Sequence, residues 1–237
     1  NHSTITDNVN KGLFVVDSAV AVSNTTFSHN KMPIYIMGSK SDLSYSGNTF
    51  SANAYPYYYQ YNYTIQQDLI FLDRDALTGQ DFDLPAQNGL DAYVYPSGAA
   101  IPAGTTMTVQ PGVTLRTEWG HYISVQGRLV AEGTPEQPIR FSSMPSPDAN
   151  TILYWGGLYF DGAQGNGSGS IRNASIEYGG ANNLPPGCTG TCGNAQTALF
   201  VKDVGVNRTL NVSYSTIRDS LGKGLFAVDS PALHFDN

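Results

Sequence analysis

KGLFVVDS at residues 11–18 returns almost unchanged as KGLFAVDS at residues 223–230. The match extends backwards, for STITDNVNKGLFVVDS starting at Ser3 aligns with STIRDSLGKGLFAVDS starting at Ser215, 212 residues later. Each copy reads as a short strand, a polar turn with Asn or Asp, a second strand, an Asp-Ser turn and a third strand. Three short strands in roughly 25 residues, with Ile, Leu, Phe and Val turned inward, make one coil of a parallel β-solenoid. Stacked coils bring like residues above like at about 4.8 Å, so Asn and Ser in the turns can form ladders along the axis.

Runs of the same kind fill much of the chain: VAVSNTTF (20–27), PIYIMG (33–38), TMTVQPGVTLR (106–116), YISVQGRLVAEG (122–133), GGLYFDG (156–162) and LNVSYSTIRDS (210–220). They are bounded by Gly, Asn, Asp and Pro, and a 3.6-residue apolar period is almost absent. Paired Asn-Gly-type turns, which a hairpin barrel or sandwich needs, are few. The fold class read from this pattern is all-β, a right-handed single-stranded parallel β-helix with about three short strands per coil. It predicts inward side chains at Ile5, Leu13, Val15, Val113, Leu115, Ile123, Val125, Leu158, Ile176, Leu199, Val201, Ile217, Leu225 and Phe235. About nine coils would give a rod of roughly 40 Å.

Composition agrees with a folded chain: 237 residues, 41% hydrophobic and 13% charged, with 25 Gly, 13 Pro and 15 Tyr. Net charge is −7 with a pI near 4.8, and the 12 basic residues are scattered singly along the sequence. This reading leaves no patch for nucleic acid or anionic lipid. No apolar run approaches the ~20 residues of a membrane helix, so no membrane insertion is expected in this segment. Asn1 opens without an initiator Met or a signal-like stretch, and the sequence is expected to be a mature fragment or an excerpt.

IPAGTTMTVQPGVTLR (101–116), ISVQGRLVAEGTPEQPIRFSS (123–143), WGGLYFDG (155–162) and SIRNASIEYGG (170–180) resemble the first coils of right-handed parallel β-helix domains in large secreted prokaryotic surface proteins. That family is pectate-lyase-like, and the copies at Ser3 and Ser215 resemble its degenerate parallel β-helix repeats. The resemblance implies three segments: coils of a C-terminal type over 1–54, a Tyr- and Asp-rich connecting segment over 55–89, and a β-helix block over 90–237 that starts with the family's opening coils. Such a permuted order is expected of a unit cut from a tandem array. The fold serves lyases, tailspikes, adhesins and fibres alike, so it does not by itself assign an activity.

Candidate sites are few. A lyase on this scaffold needs clustered carboxylates for calcium and a basic residue over the substrate. Glu118, Glu132, Glu136 and Glu177 stand isolated in the sequence, no catalytic constellation is read, and no cofactor is expected. The one acidic concentration is QDLIFLDRDALTGQDFD, where Asp73, Asp75, Asp81 and Asp83 are weak candidates for calcium, against a solvated loop. Tyr55, Tyr57, Tyr59, Tyr61 and Tyr63 recur at period two, so an extended strand would carry them on one face, as a sugar-stacking strip or a packing seam. Trp119 and Trp155 read as core or coil-flank residues. Cys188 and Cys192 in PPGCTGTCGN read as a disulfide pinning a loop, which implies an oxidising exterior. Seven N-x-S/T sequons, at Asn1, Asn24, Asn62, Asn166, Asn173, Asn207 and Asn211, are glycosylation candidates, although Asn, Ser and Thr are also ordinary solenoid turn residues.

The functional expectation is therefore an extracellular, cell-surface structural protein, a tandem or head-to-tail unit of a β-helical filament, stalk or adhesin whose partners are other copies of itself. The alternatives are a carbohydrate-binding adhesin that uses the Tyr strip, or a polysaccharide lyase or depolymerase. In the head-to-tail reading, the coil from Ser215 onward lies under the coil that starts near Asn1 of the next unit.

Overall fold

The computed structural model describes residues 2–38, 42–57, 63–73, 80–146, 151–162, 167–181, 196–205 and 208–236. Among these the regular elements are all β-strands, and the sheets are parallel apart from one short pair. The largest sheet has eight strands: Lys11–Val16, Met32–Met37, Leu69–Leu72, Ala92–Tyr95, Thr114–Thr117, Ile139–Ser143, Ala174–Glu177 and Thr216–Arg218. A six-stranded sheet runs from Phe82–Leu84 to Leu233–Asp236, and a five-stranded sheet from Ala99–Ile101 to Lys223–Val228. Ser3–Thr6, Thr25–Ser28 and Thr49–Ser51 form a three-stranded sheet, and Ala19–Ser23 pairs with Asp42–Ser46.

From Ala92 onward the chain visits the eight-, five- and six-stranded sheets in turn and then returns to the first. Each visit adds one strand beside the previous one, so the order of strands in a sheet is also their order in the chain. Parallel pairing puts like residues side by side. In the eight-stranded sheet Leu13, Ile34, Ile70, Tyr93, Leu115, Phe141, Ile176 and Ile217 form one continuous row. All eight belong to, or pack against, the main apolar cluster, which also takes Ile101, Val125, Phe160 and Val201 from the five-stranded sheet. Of the side chains expected inward, thirteen lie in or against this cluster. Phe235 is the exception at 51% exposed, although it shares a row with buried Val212 and Ile171. Its backbone sits where an inward residue should be, but among the described residues no strand pairs with the far edge of Leu233–Asp236.

The turns explain the Asp-Ser signature. Among the described residues eleven that are not glycine have positive φ, and each directly follows a strand, as do Asp7, Asp17, Asn24, Asn173, Asp203, Asp219 and Asp229. One left-handed residue bends the chain sharply from one sheet to the next, and Asp and Asn tolerate that conformation better than other side chains with a Cβ. The Asp17 of KGLFVVDS and the Asp229 of KGLFAVDS are two of these corners, with φ of 45° and 47°.

The eight-stranded ladder runs on through the stretch between residues 54 and 90. Leu69–Leu72 pairs with Met32–Met37 on one side and with Ala92–Tyr95 on the other. Within the Tyr-rich stretch the described residues form one antiparallel pair, Tyr55–Tyr57 with Tyr63–Ile65, in which Tyr57 stands opposite Tyr63. Tyr59 and Tyr61 lie outside the described residues. Tyr55 rests on Phe71 with ring centroids 4.5 Å apart, in a second apolar cluster on the outer face of the eight-stranded sheet.

Candidate functional site

The two copies of the repeated circuit differ in what covers them. Ser3–Thr6, Lys11–Val16 and Ala19–Ser23 each pair along their length with a following strand, Thr25–Ser28, Met32–Met37 and Asp42–Ser46 respectively. The second copy supplies Thr216–Arg218, Lys223–Val228 and Leu233–Asp236, which are the last strands of their three sheets. Val22, inside the covered copy, is 8% exposed. Leu225 is partly buried, as is its counterpart Leu13, and Phe235 is half exposed. The copies also occupy different faces: KGLFVV lies in the eight-stranded sheet and KGLFAV in the five-stranded one.

Asparagine makes the covering specific in the first copy. Asn8 Nδ2 donates to Asn30 Oδ1 at 2.7 Å, Asn30 Nδ2 to Asn53 Oδ1 at 3.1 Å, and Asn53 Nδ2 to Asp68 Oδ1. The backbone amides of Asn8, Asn30, Asn53 and Asp68 donate to the same acceptor row. Buried amides are thereby satisfied from circuit to circuit. Ser220 stands 212 residues after Asn8, and its Oγ is buried with no hydrogen-bond partner.

The acidic and aromatic candidates are placed as follows. Asp81 Oδ1 accepts from the Thr106 amide at 2.6 Å, and Asp83 Oδ1 from Gln110 Nε2 at 2.9 Å. These carboxylates take part in inter-circuit bonding, and Asp73 follows Leu69–Leu72 with its amide donating to Ile36 O. Asp75 lies outside the described residues, among which no group of three metal-ligating side chains gathers. Trp155 is buried and donates Nε1 to Glu177 O at 2.6 Å, whereas Trp119 is half exposed. Asn24 and Asn211 are exposed, while Asn173 Nδ2, the atom that would carry a glycan, donates to Gly133 O at 3.0 Å. Cys188, Cys192, Asn1, Asn62, Asn166 and Asn207 lie outside the described residues.

Two features were not legible as a site in the sequence. Glu177, isolated along the chain, is buried and bridges Arg140 Nη2 at 2.6 Å and Arg218 Nη2 at 2.7 Å. Burial alone would raise its pKa, but hydrogen bonds from Arg140 and Arg218 hold it below the usual carboxylate value. Arg116 projects from the same sheet. Its Nη1 donates to Gln67 Oε1, and burial pushes its pKa down to about 10. Arg116, Arg140 and Arg218 thus converge on one face although 24 and 78 residues separate them in turn along the chain. Glu118 in the turn after Thr114–Thr117 is raised to about 7 by burial.

Comparison with protein-family models, with curated proteins and with solved structures returned no match for this chain.

Proposed function

We propose that this chain is a structural unit of an extracellular assembly, a right-handed parallel β-helix whose end circuits are covered by further circuits of its own kind. The observation that carries this reading is the repeated circuit, which pairs with strands over residues 25–46 in its first copy and in its second supplies the last described strand of each of three sheets. The same sequence presents the same row of backbone donors and acceptors, so the occupant suited to the second copy is a circuit like residues 25–53. Such a circuit carries Asn30, which in the first copy accepts from Asn8. Because the two copies lie on different sheets, continuing the stack in register turns each unit by one sheet about the axis. The contact is heterologous and the assembly open.

The half-buried packing of Tyr55 on Phe71 favours the seam reading of that residue over a sugar-stacking strip. The exposure of Asn24 and Asn211 is compatible with glycans at an extracellular location.

The test is light scattering and negative-stain microscopy of the chain over a range of concentrations, beside a version extended after Asp236 by a second copy of residues 25–53. Expected results are concentration-dependent head-to-tail association, its loss in Phe235→Asp, and a raised Tm in the extended version. A chain that stays monomeric throughout, together with an extension that leaves Tm unchanged, overturns the proposal.

A further inference from the structure

On the outer face of the eight-stranded sheet a cavity of about 400 Å³ has Arg116, Arg140, Ser142, Ser143, Ile152 and Leu153 in its lining. This volume falls within the range of small-molecule pockets. The strands hold its floor: Arg116 pairs with Ser142 across adjacent parallel strands, and Ser142 and Ser143 are both buried.

Three observations give the cavity a chemical preference. Arg116 Nε is buried and has no hydrogen-bond partner, an unusual condition for a guanidinium donor. The same guanidinium is anchored through Nη1 by Gln67, so its free edge is pre-oriented. Arg140 and Arg218 share the single carboxylate of Glu177, and Arg116 feels Asp91 and Glu177 only at a distance, with no ion pair to a carboxylate of a described residue. Two arginines and no carboxylate line the cavity, and a charge-assisted hydrogen bond in a recess of the protein is stronger than one in bulk water. The planar fork of a guanidinium matches the two oxygens of a carboxylate. Apolar surface in the lining comes from buried Leu153 and half-exposed Ile152, beside the polar Ser146 and Thr151.

We propose that this cavity binds an organic carboxylate, with its oxygens on Arg116 and Arg140 and its apolar body against Ile152 and Leu153. This site lies along the side of the stack and is independent of how the end circuits are covered.

The experiment is calorimetric titration of the chain with benzoate, acetate, benzamide and sulfate at constant ionic strength. Benzoate should bind, acetate at least tenfold more weakly for want of a body, and neutral benzamide not at all. Arg116→Lys, which keeps the charge but loses the fork, should weaken benzoate at least tenfold while circular dichroism stays unchanged. Arg140→Gln, at a half-exposed position, provides a second variant with the same expectation if Arg116→Lys does not fold. Absence of benzoate binding, binding of sulfate in preference to benzoate, or benzoate affinity unaltered in the folded variants overturns the proposal.

Discussion

Glu177 takes the guanidinium of Arg140 at 2.6 Å while being itself 1% exposed, so one buried carboxylate ties together two circuits that are 37 residues apart in sequence. Arg218, on the next strand, closes the row from the other side at 2.7 Å. Replacing Glu177 with Gln removes the charge that both arginines use, and a loss of about 1–3 kcal/mol at neutral pH is expected from denaturant unfolding. The carboxylate pKa is lowered in the folded state, so its contribution is present above the unfolded value of 4.5 and is lost as pH falls through the folded one. The gap between parent and variant should therefore close in acid. A gap that is constant from pH 7 to pH 3 would contradict this.

Glu118 behaves in the opposite sense. The folded protein holds its proton up to about pH 7, whereas the unfolded carboxyl releases it near 4.5, so stability falls as pH rises through that window. The displacement corresponds to about 3 kcal/mol as an upper bound. Glu118→Gln should match the parent near pH 4 and exceed it by up to that amount at pH 8. Thermal melts at the two pH values decide this, and equal Tm differences at both would refute it.

Asn30 is the middle rung of the amide ladder, accepting from Asn8, donating to Asn53 Oδ1, and donating to Ile5 O at 3.0 Å. Its removal strands buried partners on both sides. Asn30→Ala is expected to cost about 2–4 kcal/mol, more than a surface Asn substitution, as read from urea midpoints. Asn211→Ala, at an exposed strand position, is the control and should change stability by no more than about 0.5 kcal/mol.

The corner at Asp229 has φ of 47°. A β-branched residue is strained there, so Asp229→Val should lower stability by about 1–2 kcal/mol, whereas Asp229→Gly should stay within a few tenths. Equal effects of the two substitutions would show that backbone conformation is not what selects Asp at this corner.

Close packing adds a steric prediction. A Cβ at Gly162 would stand 1.9 Å from the Asp203 carbonyl oxygen on the next circuit. Gly162→Ala should therefore push the two circuits apart locally and reduce Tm by several degrees, and a Tm at or above the parent's would be incompatible with that approach.

The sequence alone determined what local chemistry determines: short strands from alternating apolar runs, corners from Asp and Asn, and like residues brought beside like by a repeating length. These follow from side-chain period and backbone preference, which act over a few residues, and they were enough to place thirteen of the fourteen inward side chains. The tertiary structure decided what depends on the accumulated phase of the chain. The copies of KGLF(V/A)VDS fall on different sheets, Tyr57 stands antiparallel to Tyr63, and Phe235 sits in an inward row that no described strand covers. The convergence of Arg116, Arg140, Glu177 and Arg218 belongs to the same class. Circuits differ in length because their loops differ, so spacings of 24, 37 and 41 residues all correspond to neighbours on one face. No fixed period in the sequence marks those residues as partners, and only the pairing of the strands brings them together.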